Sequence, residues 1–223
     1  MKIENIEVHG FRAALRGMRN PMDSWDKSDS MFCCYESYRG NDLETSIPEN
    51  PTIGLKDLEL ACKLIKSGSE HRKFLRQIQI WFDITIPRYV WQELDTYKVA
   101  TVRNSCSTMH KLGIRDLIQD DFELPIPEKW LLKLNELGNQ FRNAKVIKDI
   151  SLMNQIRREY KNLLPEGFLQ KATYTMNYET ALTMYFQRRN HRLPEWKEDE
   201  KGSICSFIKS LPYMKDFIKA AEK

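Results

Sequence analysis

The 223-residue sequence has no Cys-x-x-Cys pair, no histidines at zinc-ligand spacing, no polybasic tail and no apolar run approaching about 18 residues. Its five cysteines (Cys33, Cys34, Cys62, Cys106, Cys205) are an odd set. In a chain this long they read as reduced thiols of a cytosol and exclude a disulfide scaffold. The four histidines, His9, His71, His110 and His191, are scattered, so no metal site is expected. The opening Met-Lys-Ile-Glu-Asn-Ile-Glu-Val is too polar for a signal peptide, and nothing is long enough to cross a bilayer. The expectation is a soluble cytoplasmic protein with no membrane partner. Thirty-five basic against 31 acidic residues leave a net charge of only +4, without a basic cluster. That balance suits a small anionic ligand and does not suggest duplex nucleic acid. With no internal repeat, low-complexity run or linker, residues 1–223 are expected to form one domain.

What is present is a core and one strong pattern. Hydrophobic residues make up 41% of the chain, enough for a globular interior. Over residues 77–86, Ile78, Ile80, Phe82, Ile84 and Ile86 alternate with Gln77, Gln79, Trp81, Asp83 and Thr85. A period of two over ten residues predicts a strand with one buried face, ended by Pro87. An edge strand is expected over 2–8, and helices over 11–19, 55–66, 127–142, 145–163, 177–189 and 200–221. A helical segment is expected over 23–38 inside a polar loop spanning 20–54. Ser69 offers a cap to a short helix holding His71 and Phe74, and Val90, Leu94 and Tyr97 restart helical spacing. The fold class is therefore α+β, with a small antiparallel sheet and several helices.

The chemistry concentrates after the strand. Thr101, Arg103, Asn104, Ser105, Cys106, Ser107, Thr108 and His110 fall within ten residues, the composition of a ligand loop. Cys106 and His110, four apart, have the spacing of a thiolate and its base on a helix. The alternative is a small cysteine tolerated in a polar loop, and this is the reading preferred. Further on, Lys161 and the run Arg188-Arg189-Asn190-His191-Arg192 suit a phosphate, or else a solvated basic helix end. A membrane or RNA patch is disfavoured by the acidic residues Glu195, Glu198, Asp199 and Glu200 that follow.

In three places the chain resembles the flavin-dependent thymidylate synthases, the ThyX family, with a diffuse likeness over most of its length. Ile78 to Val90 is similar to that family's apolar strand, which ends in proline before its signature helix. Thr96-Tyr97-Lys98, Thr101 and Asn104-Ser105-Cys106-Ser107-Thr108-Met109-His110 fall on the signature Arg-His-Arg-x-x-Ser followed by Asn-Glu-x-Ser-x-Arg-Tyr, with one extra residue before Asn104. Tyr174 to Arg189 is similar to the segment Trp-Thr-x-Asn-x-Arg-Ser-Leu-x-x-Phe-x-x-Leu-Arg. Leu164-Pro165 matches a Leu-Pro, Lys161 falls where a phosphate-binding arginine stands, and His71 where a histidine lies near the flavin.

The resemblance implies a ThyX-like homotetramer that binds FAD, dUMP, methylenetetrahydrofolate and NADPH, with the flavin carrying hydride and no cysteine attacking uracil. By resemblance, Asn104, Ser107, Lys161 and Arg188 are expected to bind substrate, and His71, Lys98 and Asn177 cofactor. The catalytic residue is not identified. This chain departs from the family at the Arg-His-Arg triplet, of which only Lys98 is basic, and at Ser105, Met109 and Glu179. Each missing charge-assisted contact is worth roughly 1.5–3 kcal/mol. Arg88, Arg103 and Arg192 are possible replacements. The leading expectation is a methyltransferase-type flavoprotein of nucleotide biosynthesis, acting on a pyrimidine deoxynucleotide. The alternatives are a nucleotide-binding sensor or sequestering factor without flavin chemistry, and a structural protein that kept only the fold.

Overall fold

The computed structural model describes residues 1–32, 51–108 and 112–222. Their elements are β1 (Lys2–His9), α1 (Phe11–Arg19), β2 (Met31–Phe32), β3 (Pro51–Thr52), α2 (Leu55–Lys66), β4 (Gln79–Pro87), α3 (Arg88–Leu94) and β5 (Val102–Ser105). They continue with α4 (Glu128–Val146), α5 (Ile150–Leu163), β6 (Leu169–Asn177), α6 (Tyr178–Arg188), α7 (Ile204–Ser210) and α8 (Met214–Ala221). The main sheet has the order β1-β4-β6-β5, and β2 pairs with β3 in a separate two-stranded ribbon. The fold is α+β with a small antiparallel sheet.

The pairing of β4 with β6 follows from two backbone bonds. The Tyr178 N–H donates to Ile78 O at 3.0 Å and the Arg88 N–H to Phe168 O at 3.2 Å. Ten steps along one strand thus match ten along the other in the opposite sense, which is an antiparallel ladder in constant register. The alternation expected for 77–86 is observed: Ile80, Phe82, Ile84 and Ile86 are buried, while Gln79, Trp81, Asp83 and Thr85 are half-buried. Pro87 closes the strand and α3 starts at once, since proline's fixed φ suits the residue before a helix.

The chain divides into two compact units. The first comprises residues 1–3, 83–96 and 103–173. Its core lies between α4 and α5, with Leu117, Phe122, Leu134, Leu137, Phe141 and Ile156 buried together. Burying each such side chain contributes about 1.5–3 kcal/mol. The α4–α5 turn places Lys148 at φ 59, and Asp149 then caps α5 by accepting from the Leu152 N–H at 2.9 Å. Helix α5 therefore begins at Ile150, later than the expected 145.

The second unit comprises residues 4–82, 97–102 and 174–223. Its core is aromatic: Phe82 packs on Phe207 with ring centroids 4.8 Å apart, and Phe11 meets Tyr178 edge-on at 5.3 Å. A fully buried ion pair joins α1 to α2, with Arg19 Nε 2.6 Å from Asp57 Oδ1. Ser28 and Ser30 donate to the other oxygen of Asp57. The expected helix over 200–221 is two helices, broken at Leu211-Pro212-Tyr213, where Tyr213 lies at φ 58. The helix expected over 23–38 is not formed by residues 23–32, which make a 3-10 turn at Trp25–Lys27 and strand β2. Residues 33–38 of that expectation lie outside the described residues. No helix among the described residues is long and apolar enough to cross a membrane.

Burial alone would raise the pKa of Asp57. Hydrogen bonds from Ser28, Ser30 and Arg19, with Arg19's charge, outweigh burial and hold the carboxyl below its ordinary range. A carboxyl lowered in the folded state stabilises the protein above its unfolded pKa of about 3.9, and this contribution fades as pH falls through the folded value. Asp57→Asn should therefore cost about 3–5 kcal/mol at pH 7, because Arg19 is left as a buried unpaired charge. Urea unfolding should show the gap to wild type narrowing at pH 3. In the first unit, the Tyr160 hydroxyl is buried without a partner among the described residues, and burial pushes its pKa up to about 12. Tyr160→Phe should leave the Tm unchanged or raise it.

Candidate functional site

Four of the expected site residues lie in the second unit, and α6 organises three of them, Asn177, Lys98 and Arg188. Asn177 ends β6 with extended backbone and caps α6, its side-chain oxygen accepting from the Thr180 N–H at 2.8 Å. Thr180 in turn donates its hydroxyl to Val99 O at 2.9 Å, holding the turn that carries Lys98. The Thr101 hydroxyl donates to Tyr97 O within the same turn. Ala100 sits there at φ 56, a left-handed conformation that costs a non-glycine residue about 1–2 kcal/mol. Lys98 and Val99 are exposed at the apex, and Lys98 has no ion-pair partner among the described residues.

At the other end of α6, Arg188 is enclosed. Its Nε donates to the Tyr97 hydroxyl at 3.0 Å, and its guanidinium carbon lies 5.1 Å from the Trp196 ring centroid and 5.8 Å from that of Tyr97. Its Nη1 is 3.1 Å from His191 Nε2, while the Leu193 N–H meets the other ring nitrogen at 3.2 Å. A neutral imidazole has one acceptor nitrogen, so only one of these two donors can be satisfied at a time. The Trp196 Nε1 is buried with no acceptor among the described residues. Trp196 was not singled out from sequence, and Tyr97 and His191 were named there without a link to Arg188. The available signals were Tyr97 within the triplet stretch and a tryptophan close behind the basic run.

His71 is exposed in the turn after Gly68, not on a helix, and a 3-10 turn over Lys73–Gln77 follows. Its neighbour Arg72 reaches the first turn of α6, with Nη2 2.9 Å and Nε 3.1 Å from Glu179 Oε1. The second carboxylate oxygen, Oε2, is buried and has no donor among the described residues.

The first unit carries Asn104, Ser107 and Lys161. Asn104 is exposed on β5, so residues 102–105 of the expected loop are a strand of the main sheet. Ser107 is half-buried and engaged in an interaction. Cys106 is exposed, and its backbone N–H donates to Lys171 O at 2.8 Å. His110, its expected partner, lies outside the described residues, as does Met109. Lys161 is exposed in the last turn of α5, without an ion-pair partner among the described residues. Arg103 is engaged through both terminal nitrogens, donating to Asp95 at 2.6 Å and to Gln170 at 2.9 Å. Its guanidinium stacks 3.9 Å over Trp91, while its Nε is buried with no acceptor among the described residues. Arg88 is held by Leu164 O and Glu166, each at 3.4 Å. Of the three arginines considered as replacement ligands, two are thus internal fasteners, and Arg192 is exposed in the second unit. Among the thiols, Cys205 is buried, and burial pushes its pKa up to about 12. It stays protonated at neutral pH and is no nucleophile.

No protein-family model matches the chain, and no curated protein matches it in sequence. Solved structures do. The chain is similar over 100% of its length, and of the other chain's, to the flavin-dependent thymidylate synthase ThyX from Helicobacter pylori complexed with FAD and dUMP. The TM-score is 0.67 and the identity 16%. A second structure of ThyX from Helicobacter pylori with FAD and dUMP matches end to end at TM-score 0.65 and 15% identity. At such identities the likeness establishes a ThyX-like fold.

Arg103→Lys should lower the unfolding free energy by about 1–3 kcal/mol, because an ammonium replaces neither the fork of hydrogen bonds nor the stack on Trp91. Lys98→Ala should stay within about 0.5 kcal/mol of wild type. Denaturant titration of both variants checks the contrast.

Proposed function

We propose that this chain binds a pyrimidine nucleoside monophosphate on its ThyX-like scaffold, without flavin chemistry. The end-to-end likeness to two ThyX structures that hold dUMP carries this reading. The ammonium of Lys161, unengaged among the described residues, and the exposed amide of Asn104 are the strongest ligand candidates in the first unit. Lysine meets a phosphate as a point charge and needs no rearrangement here. Arg188 is the weaker phosphate candidate, because it would trade its contacts with Tyr97 and His191 for the ligand. Ser107 is assigned to the base or sugar.

A second reading is dUMP methylation with FAD, methylenetetrahydrofolate and NADPH by a homotetramer, in which His71, Lys98 and Asn177 attend the flavin. Its support is that both similar structures hold FAD as well as dUMP. The local chemistry along α6 argues against FAD. The diphosphate of a flavin dinucleotide needs cationic or N–H donors, whereas Arg72 is neutralised by Glu179 and Arg188 is enclosed by aromatic groups. The Glu179 carboxylate, whose buried Oε2 has no donor among the described residues, has the wrong sign for a phosphate.

Thermal unfolding with dUMP, dTMP and dCMP tests the first reading. Ligand at a hundred times its Kd should stabilise the fold by about 2.7 kcal/mol. Lys161→Ala should weaken the effective nucleotide roughly 10- to 100-fold while leaving the Tm of the free protein unchanged. No shift with any of the three nucleotides would sink the proposal. Yellow protein with flavin absorbance on purification would favour the second reading, and light scattering reports whether a tetramer forms.

A further inference from the structure

Glu179 holds the second position of α6, directly after the cap Asn177 and Tyr178. An α-helix N-terminus exposes unpaired N–H groups and positive potential, and a neighbouring arginine adds a full charge. Here both are met from within the chain. The Glu179 carboxylate takes two contacts from Arg72 on one oxygen, with the two side chains 14% and 19% exposed. The other oxygen is buried and carries unmatched acceptor capacity. The charge of Arg72 is thus already balanced by Glu179, and an anion brought here faces a carboxylate rather than a free cation.

We propose that Glu179 is the specificity-determining residue that keeps diphosphate-bearing cofactors, flavin dinucleotide among them, off the start of α6. Its carboxylate is the internal anion of Arg72, held in the first turn of α6. The inference rests on the proposed readings only in taking the start of α6, where the second reading sets Asn177 and Lys98 beside a flavin, as the place such a cofactor would meet. It predicts a gain of binding, which a purely structural ion pair would not give on being broken.

The experiment measures FAD binding by flavin fluorescence and inorganic pyrophosphate binding by calorimetry. The proteins are full-length wild type, Glu179→Gln, and the double variant Arg72→Ala/Glu179→Gln. Wild type should take up neither probe at millimolar concentration. Glu179→Gln, which keeps the shape and removes the charge, should bind FAD and pyrophosphate at least tenfold more tightly than wild type. The double variant should lose that gain, since Arg72 supplies the freed charge. Should Glu179→Gln not fold, Glu179→Ser, tolerated in a first helical turn, is read in the same assay. Wild type holding FAD as tightly as Glu179→Gln would overturn the proposal, and so would a folded variant that gains nothing. The dUMP shift of wild type is a separate readout, so nucleotide binding and flavin exclusion stand or fall independently.

Discussion

The antiparallel ladder between β4 and β6 is the constraint from which the rest of the structure follows. Its register is fixed by backbone bonds beside each strand end, and both strands bury one face, so a slip of one residue would expose every apolar side chain. Each strand also launches a helix directly. Pro87 hands β4 to α3, whose Trp91 carries the Arg103 stack, and Asn177 hands β6 to α6 by capping it. Thr180 in the first turn of α6 holds the turn that carries Lys98, and Arg188 ends the same helix.

Arginine and lysine divide the work of positive charge. Arg19, Arg72, Arg103 and Arg188 each fasten elements distant in sequence, through a buried carboxylate, a stacked ring or a phenolic oxygen. The planar guanidinium suits this, because it satisfies several acceptors at once and loses little by being stacked. Lys98 and Lys161 remain exposed and unengaged among the described residues. The net charge of +4 is therefore a poor measure of what is available to a ligand.

The strand over 77–86 was legible because its buried positions are all large and β-preferring. Strand β6 was not read as a strand, because its buried face is Ala172, Tyr174 and Met176, set among threonines, a weaker alternation. The C-terminal helical pattern ran through Pro212, where the missing N–H and the left-handed Tyr213 break it. Residues 101–107 were rightly seen as dense in polar groups. That 102–105 form a sheet strand depends on pairing with β6, which no local pattern reports. The ion pair of Arg72 with Glu179 spans 107 positions, and the bond from Arg188 to Tyr97 spans 91. Such contacts are a product of the fold, so an isolated reading treats each arginine as a free charge.

This difference explains how a chain 16% identical to a ThyX structure matches it end to end. The fold depends on apolar periodicity, which many residue combinations satisfy, since Ile, Val and Phe exchange at modest cost on a buried strand face. Recognition of phosphates depends on a few charges at fixed places, and one substitution reverses the sign at such a place. At the start of α6 the chain carries Glu179, whose carboxylate is paired with Arg72. The architecture persists where the charges have changed, and ligand chemistry follows the charges.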